Sequence, residues 1–213
     1  MNVFLLGLQV TDEAQEAEGI INVLAKALPS TKQKVPTKVQ LLGSKDHYVG
    51  KALQKLKKEE TVLAIGLVKP TLEGVLKMNT IMVVNSESFN DVLAINLFMA
   101  TGGLGPKSDE TELTDTTVTN RSIAWQQDNE THWFKLSAWG ELSKELSELP
   151  NGTPTIAVGR VSSSSKEEKT FLNYTADKIQ YLPRGTKPAP NKAVDAEKGV
   201  VAAAAVASLD FNL

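Results

Sequence analysis

The sequence predicts an all-β chain with short helices, built twice over and ending in a flexible tail. Three observations carry this expectation. Residues 131–140 alternate between two kinds of side chain, a strand–helix–strand order comes next, and the same order recurs in the first half of the chain.

Side chains alternate across a strand with period two. Trp133, Lys135, Ser137 and Trp139 therefore share one face of residues 131–140, and Phe134, Leu136 and Ala138 share the other. The second face is ordinary core. The first sets two indoles around a cation and a hydroxyl, which is the chemistry that stacks flat bases and neutralises phosphate. Tryptophan is usually largely buried, so the strand alone favours two rings packed on a neighbouring element. The order of elements C-terminal to the strand favours the binding face. Residues 141–149 carry Leu142, Leu146 and Leu149 at helical spacing, and Pro150-Asn-Gly-Thr-Pro154 ends that helix. An apolar strand over 155–161, a polar hairpin over 162–169 and a last strand over 171–182 complete the order.

This order resembles the bacterial single-stranded DNA-binding protein family. Trp133 to Gly140 with the adjoining Glu141-Leu-Ser-Lys-Glu145 resembles the family's third strand and helix. Ile156-Ala-Val-Gly-Arg-Val161 resembles its fourth strand, and Ala176-Asp-Lys-Ile-Gln-Tyr-Leu182 its closing segment. Upstream, Asn96-Leu-Phe-Met-Ala-Thr-Gly-Gly-Leu-Gly-Pro106 resembles the opening strand and turn, and Val118-Thr-Asn-Arg-Ser-Ile-Ala-Trp125 the second strand. Five pieces fall in order over residues 93–182. The resemblance implies an OB fold, a five-stranded barrel with a helix between its third and fourth strands.

The first half reads as a second, more diverged copy. Leu53-Gln-Lys-Leu-Lys-Lys-Glu-Glu-Thr-Val-Leu-Ala-Ile-Gly66 registers without a gap on residues 146–159. Lys38–Gly43 sits where Lys135–Gly140 sits, residues 76–84 take the place of the closing strand, and residues 1–8 correspond to 95–102. Residues 1–88 and 91–182 are thus expected to form tandem OB folds, with 183–213 a linker and tail. The copies differ in chemistry. Aligning Gly43 with Gly140 puts Pro36, Lys38, Gln40 and Leu42 where the second copy has Trp133, Lys135, Ser137 and Trp139. The first copy has no Trp but many lysines, among them Lys38, Lys45, Lys69 and Lys77; the second is acidic. The first copy either extends a nucleic-acid track or serves as a structural partner with a solvated basic face.

Composition narrows the class. A net charge of −2 over 213 residues is not that of a generic polyanion binder, although local charge matters more than the total. No cysteine is present, which removes disulfides and thiolate chemistry. An enzyme is not expected: His47 and His132 stand apart, and no metal-ligand spacing occurs. Gly102-Gly-Leu-Gly-Pro-Lys-Ser108 has Pro106 where a phosphate loop needs glycine, and acidic residues come directly after it, so it reads as a turn after the opening strand. No cofactor is expected. No secretory signal is read in the first residues, and the Ala-rich run over 200–207 is too short to span a bilayer. The resemblance implies a cytoplasmic, nucleoid-associated protein.

The resemblance implies sequence-tolerant binding of single-stranded DNA in replication, recombination and repair, with RNA as a possible ligand. Trp133 and Trp139 would stack on bases, and Lys135, Arg121 and Arg160 would face phosphates. Phe171 and Tyr174 would be stacking rings or core, and Trp125 ends the second strand with its direction open. Lys38 and Lys69 would extend the track. Family members with two folds per chain form dimers, so a homodimer with four barrels is expected. The family ends in an acidic tip that recruits replication and repair proteins; here Leu209, Asp210, Phe211 and Leu213 would form a degenerate version. The rival reading is a protein-interaction module, in which Trp133 and Trp139 anchor a protein partner.

Overall fold

The computed structural model describes residues 2–27, 35–68, 74–85, 94–113, 116–127 and 130–181. The described strands of the first half are β1 (Asn2–Val10), β2 (Gln15–Ala17), β3 (Ile20–Ala27), β4 (Thr37–Ser44), β5 (Thr61–Val68) and β6 (Leu76–Asn85), with helix α1 (Tyr48–Leu53) between β4 and β5. Those of the second half are β7 (Asn96–Leu113), β8 (Thr116–Gln127), β9 (Glu130–Trp139), β10 (Pro154–Lys166) and β11 (Lys169–Tyr181), with helix α2 (Glu141–Glu148) between β9 and β10.

Two rings of hydrogen-bonded strands result. β1 pairs with β3, β3 with β4, β4 in parallel with β6, β6 with β5, and β5 returns to β1. In the second half β7 pairs with β8, β8 with β9, β9 in parallel with β11, β11 with β10, and β10 returns to β7. The connectivity is the same in both: the all-β OB fold. Closure leaves no free edge within either ring. Period-two burial fills each barrel. In the first, Phe4, Leu6, Leu8 and Val10 of β1 meet Ile21 and Val23 of β3, Val39 and Leu41 of β4, and Val62 and Ala64 of β5. Each helix closes its barrel with a fully buried leucine, Leu53 or Leu146, at matching places in the repeat.

The repeat extends to irregularities. The β5–β6 register shifts between Ile65 and Gly66, and the β10–β11 register between Val158 and Gly159. A Cβ on Gly66 would strike Met78 and the Asn79 carbonyl, and one on Gly159 would strike the Thr175 carbonyl. Both barrels thus turn the same corner at a glycine bulge where the facing backbone comes too close for a side chain.

One expectation about a loop changes. Residues 102–105 do not form a turn; they lie inside β7, and a Cβ on Gly102 would strike the Ala124 carbonyl of β8. The glycines there serve strand crossing. Residues 162–169 form the expected polar hairpin, and its arms are fully paired. β10 and β11 stay paired from Ser162↔Asn173 to Lys166↔Lys169, leaving only Glu167 and Glu168 as the turn. Serine and threonine satisfy the ladder with backbone groups, so a polar sequence still makes long strands.

β1 also pairs antiparallel with β7, from Asn2↔Ala100 to Leu6↔Asn96, which joins the two rings in one sheet. The outer face of this junction is apolar. The register sets Leu67, Val3 and Met99 in one row and Met82, Ile65, Leu5 and Leu97 in the next. Leu67, Met82, Leu97 and Met99 are exposed.

Candidate nucleic-acid interface

β8 and β9 build a two-faced ribbon. Inward go Thr119, Arg121, Ile123 and Trp125 from β8, and Phe134, Leu136 and Ala138 from β9, all buried. Outward go the pairs Ala124↔Trp133, Ser122↔Lys135, Asn120↔Ser137 and Val118↔Trp139. Trp133 remains 53% exposed and Trp139 46% exposed, with Lys135 exposed between them. Two large rings left in water at strand spacing are unusual, since tryptophan normally contributes its area to a core.

The Trp133 indole reaches across β8 to β7. A Cβ placed on Gly105 would stand 2.9 Å from the ring carbon Cζ3. Gly105 therefore provides the flat floor on which this ring lies. Ser137 donates its hydroxyl to Asn120 Oδ1 at 2.5 Å, fixing the middle of the face.

Beside it lies a cleft of about 490 Å³ between β8–β9 and the β10–β11 hairpin. Lys135, Ser137 and Asn120 line one wall, and Ser164, Lys166 and Phe171 line the other. The cleft therefore brings two cations and a half-buried aromatic ring beside the indole face. Lys166 escaped the reading of the sequence, because its role depends on the hairpin being a long arm.

Arg121, expected to face phosphate, lies elsewhere, and the open alternatives for Tyr174 and Trp125 resolve to the core. Arg121 does not face phosphate: it is fully buried. Its Nη1 donates to the carbonyls of Leu146 (2.8 Å) and Leu149 (2.6 Å), and its Nη2 to the Gly105 carbonyl (2.6 Å) and Asn151 Oδ1 (2.9 Å). The guanidinium thus satisfies the end of α2, where carbonyls lack helical partners and the helix dipole is negative. Burial pulls its pKa below the usual arginine value, which lies so high that it stays charged at neutral pH. Tyr174 is no stacking ring for a ligand; its ring packs 4.6 Å from Phe134 and 6.1 Å from Phe98. Trp125 points inward, 5.3 Å from the His132 ring. In each case strand parity decides: Arg121 and Trp125 share the inward set with Ile123.

Arg160 is exposed but engaged by a carboxylate. Its Nε and Nη2 donate to the two oxygens of Asp177 at 2.9 and 2.8 Å. Lys38 is exposed on β4, directly opposite Lys26 of β3. Lys69 and the tail residues Leu209, Asp210, Phe211 and Leu213 lie outside the described residues. Among the described residues no group of three or more His, Cys, Asp or Glu could hold a metal ion, and no helix is long and apolar enough to cross a membrane.

No family model matches the sequence, and no curated protein matches it. Solved structures do. The wild-type single-stranded DNA-binding protein from Thermus aquaticus aligns with 89% of this chain and 96% of its own, at a TM-score of 0.64 and 19% identity. A deletion mutant of that protein, which also has an arginine replaced by alanine, gives a TM-score of 0.65 at 19% identity, over 88% of this chain and 96% of its own. The chain thus has the fold of a bacterial single-stranded DNA-binding protein over nearly its whole length.

Proposed function

We propose that this chain binds single-stranded DNA in a sequence-tolerant way on the outer face of β8–β9. The observation that carries the proposal is the pair of half-exposed indoles, Trp133 and Trp139, held about Lys135 while Phe134, Leu136 and Ala138 of the same strand are buried. Stacking on such rings contributes about 1–3 kcal/mol per base and suits any base. Lys135 and Lys166 neutralise phosphates along the adjoining cleft, where Phe171 offers a further ring edge. The fold shared with the Thermus aquaticus protein supports this reading. Such a face suits covering exposed strands in replication, recombination and repair, in the cytoplasm at the nucleoid. RNA would be accepted on the same face, because stacking does not read the sugar.

In this reading residues 1–88 and 91–182 are two OB folds, and the apolar outer face of the β1–β7 junction meets a second copy. Contiguous exposed apolar area is what a two-fold interface uses, and Leu67, Met82, Leu97 and Met99 supply it. The tail at 209–213 would recruit replication or repair proteins.

The test is tryptophan fluorescence during titration with a long oligo-dT, at low and high salt, with a duplex as control. Trp125 is buried, so changes report Trp133 and Trp139. Quenching by the single strand only, weakened by salt and by Trp133→Ala or Trp139→Ala, is expected. No quenching at micromolar protein in low salt would sink the proposal in favour of a protein-interaction module.

A further inference from the structure

The β10–β11 arm has two faces with different surroundings. Its register pairs Ser162 with Asn173 and Ser164 with Phe171 on one face, and Val161 with Tyr174 and Ser163 with Leu172 on the other. Lys166 belongs to the first face by strand parity. With Ser164, Phe171 and Asn173 it lines the cleft. On the second face Ser163 and Leu172 are 5% and 3% exposed. A serine buried that deeply on a projecting arm needs something to cover it.

The first barrel supplies the cover. The β10–β7 pairing ends at Gly159↔Phe98. Two residues on, the Asn96 side chain takes over: its Nδ2 donates to the Val161 carbonyl at 2.7 Å, and its Oδ1 accepts from the Val161 N–H at 3.1 Å. Two residues further, Ser163 forms an antiparallel bridge with Val35, just ahead of β4. The Ser163 hydroxyl donates to Thr37 Oγ1 at 3.0 Å in a buried contact. On β11 the Thr170 carbonyl accepts from the Gly74 N–H, just ahead of β6, at 3.0 Å. Both strands of the arm are thus held by segments that lead into β4 and β6. Thr37 itself has the inward parity of Val39 and Leu41 and is buried. The repeat sets it where the second barrel has Phe134. A hydroxyl at a core position is destabilising unless it is paired, and Ser163 is its partner.

We infer that Thr37 is a positioning residue for the cleft of the other barrel: its hydroxyl pair with Ser163, helped by the Val35 bridge and the Gly74 contact, fixes the arm so that Lys166 and Phe171 stand opposite Lys135 before a strand arrives. A two-stranded hairpin is marginal on its own. An arm free to swing would have to be ordered on binding, which weakens affinity. An arm already held avoids that loss. The inference rests on the reading of the chain as a single-strand binder, and it asks nothing of the first barrel's own outer surface.

The experiment uses the full chain and two readouts. One is amide hydrogen exchange without DNA; the other is anisotropy of a fluorescein-labelled oligo-dT across a salt series, with tryptophan quenching read alongside. Thr37→Val keeps the shape and removes the hydroxyl, whereas Thr37→Ser keeps the hydroxyl. Thr37→Val and Ser163→Ala should each speed exchange over residues 162–172 and leave exchange in β8 and β9 as in the parent. Each should also weaken oligo-dT binding by about 3- to 10-fold. The log–log salt slope should flatten by about 0.7, the share of the one phosphate that Lys166 neutralises, while quenching at saturation persists. Thr37→Ser should match the parent in every readout. In a Lys166→Gln/Phe171→Ala background, Thr37→Val should weaken binding no further, because a displaced arm then has nothing left to withdraw. Unchanged arm exchange in both hydroxyl-deleted variants overturns the inference. So does parent-like binding by both, or an equal loss of binding in the Lys166→Gln/Phe171→Ala background. Each of these results leaves Trp133 and Trp139 in their role. Absence of any binding by the unaltered chain overturns that role and the inference together.

Discussion

Phe4 and Phe98 face each other across the β1–β7 ladder with ring centroids 5.7 Å apart, and they hold the same position in the two halves of the repeat. Every neighbouring pair in that ladder obeys the same exchange: Val3 faces Met99 while Leu5 faces Leu97. The junction therefore has the self-complementary pattern of a two-fold interface, enclosed within one chain. The symmetry stops at the next layer. Phe134 and Tyr174 complete an aromatic cluster on the second-barrel side, whereas Met78 stands at the Tyr174 position in the first barrel. Phe98→Ala should therefore be costly, by about 3–5 kcal/mol, because it opens both a barrel core and the junction. Phe4→Ala should cost a similar amount, and the double variant less than the sum, since rings in contact couple by about 0.5–1.5 kcal/mol. Urea denaturation of the four proteins measures this; strict additivity would mean that the rings act separately.

Arg121 and Arg160 should behave in opposite ways. Arg121→Met keeps an unbranched apolar stem but leaves the Leu146, Leu149 and Gly105 carbonyls without their donor. Stranded buried polar groups cost about 1–3 kcal/mol each, so a loss of several kcal/mol is expected even after partial relaxation. Arg160→Ala removes a solvent-exposed ion pair with Asp177, and such pairs contribute about 1 kcal/mol at most. Thermal denaturation separates the two. An Arg121→Met protein as stable as the parent would show that α2 finds other caps.

The tip of the β10–β11 arm contains avoidable strain. Glu167 and Glu168 both have positive φ, 50° and 66°, in a two-residue connection of the type that favours Asn-Gly. A charged residue with a Cβ is costly there, and two adjacent carboxylates repel. Glu167→Asn/Glu168→Gly should stabilise the chain by about 1 kcal/mol, on the order of other compatible turn replacements, seen as a higher urea midpoint at unchanged m-value. A fall in midpoint would mean that the carboxylates have a partner in solution.

Much of this molecule was legible because strand parity is a strong signal. The alternation in 131–140 separated Trp133 and Trp139 from Phe134 and Leu136 correctly, since a shift of one residue would have buried a lysine. The same rule, applied to 118–125, would have turned Arg121 inward together with Ile123. Its positive charge suggested a phosphate contact instead, and only the three-dimensional position of the α2 carbonyls reveals what an arginine does there. Lys26 and Lys38 come from different strands, so their juxtaposition depends on the β3–β4 pairing, which no local pattern encodes.

Gly105 offers a way to disturb the proposed face without touching a ligand-contacting side chain. Its missing Cβ leaves room for the Trp133 ring, at a virtual distance of 2.9 Å from Cζ3. The next nearest groups, the Ser122 carbonyl oxygen and Cβ, stand at 3.2 and 3.4 Å and tolerate a methyl group with small shifts. Gly105→Ala should therefore move the indole rather than break the sheet, because the ring is half in water and free to swing. Stability should change by about 1 kcal/mol or less, while oligo-dT affinity should fall several-fold toward that of Trp133→Ala, since a displaced ring forfeits part of the stacking contribution of about 1–3 kcal/mol. Measured side by side, Gly105→Ala and Gly105→Ala/Trp133→Ala should bind almost alike. If Gly105→Ala binds as tightly as the parent, the floor under the indole does not set its stacking geometry.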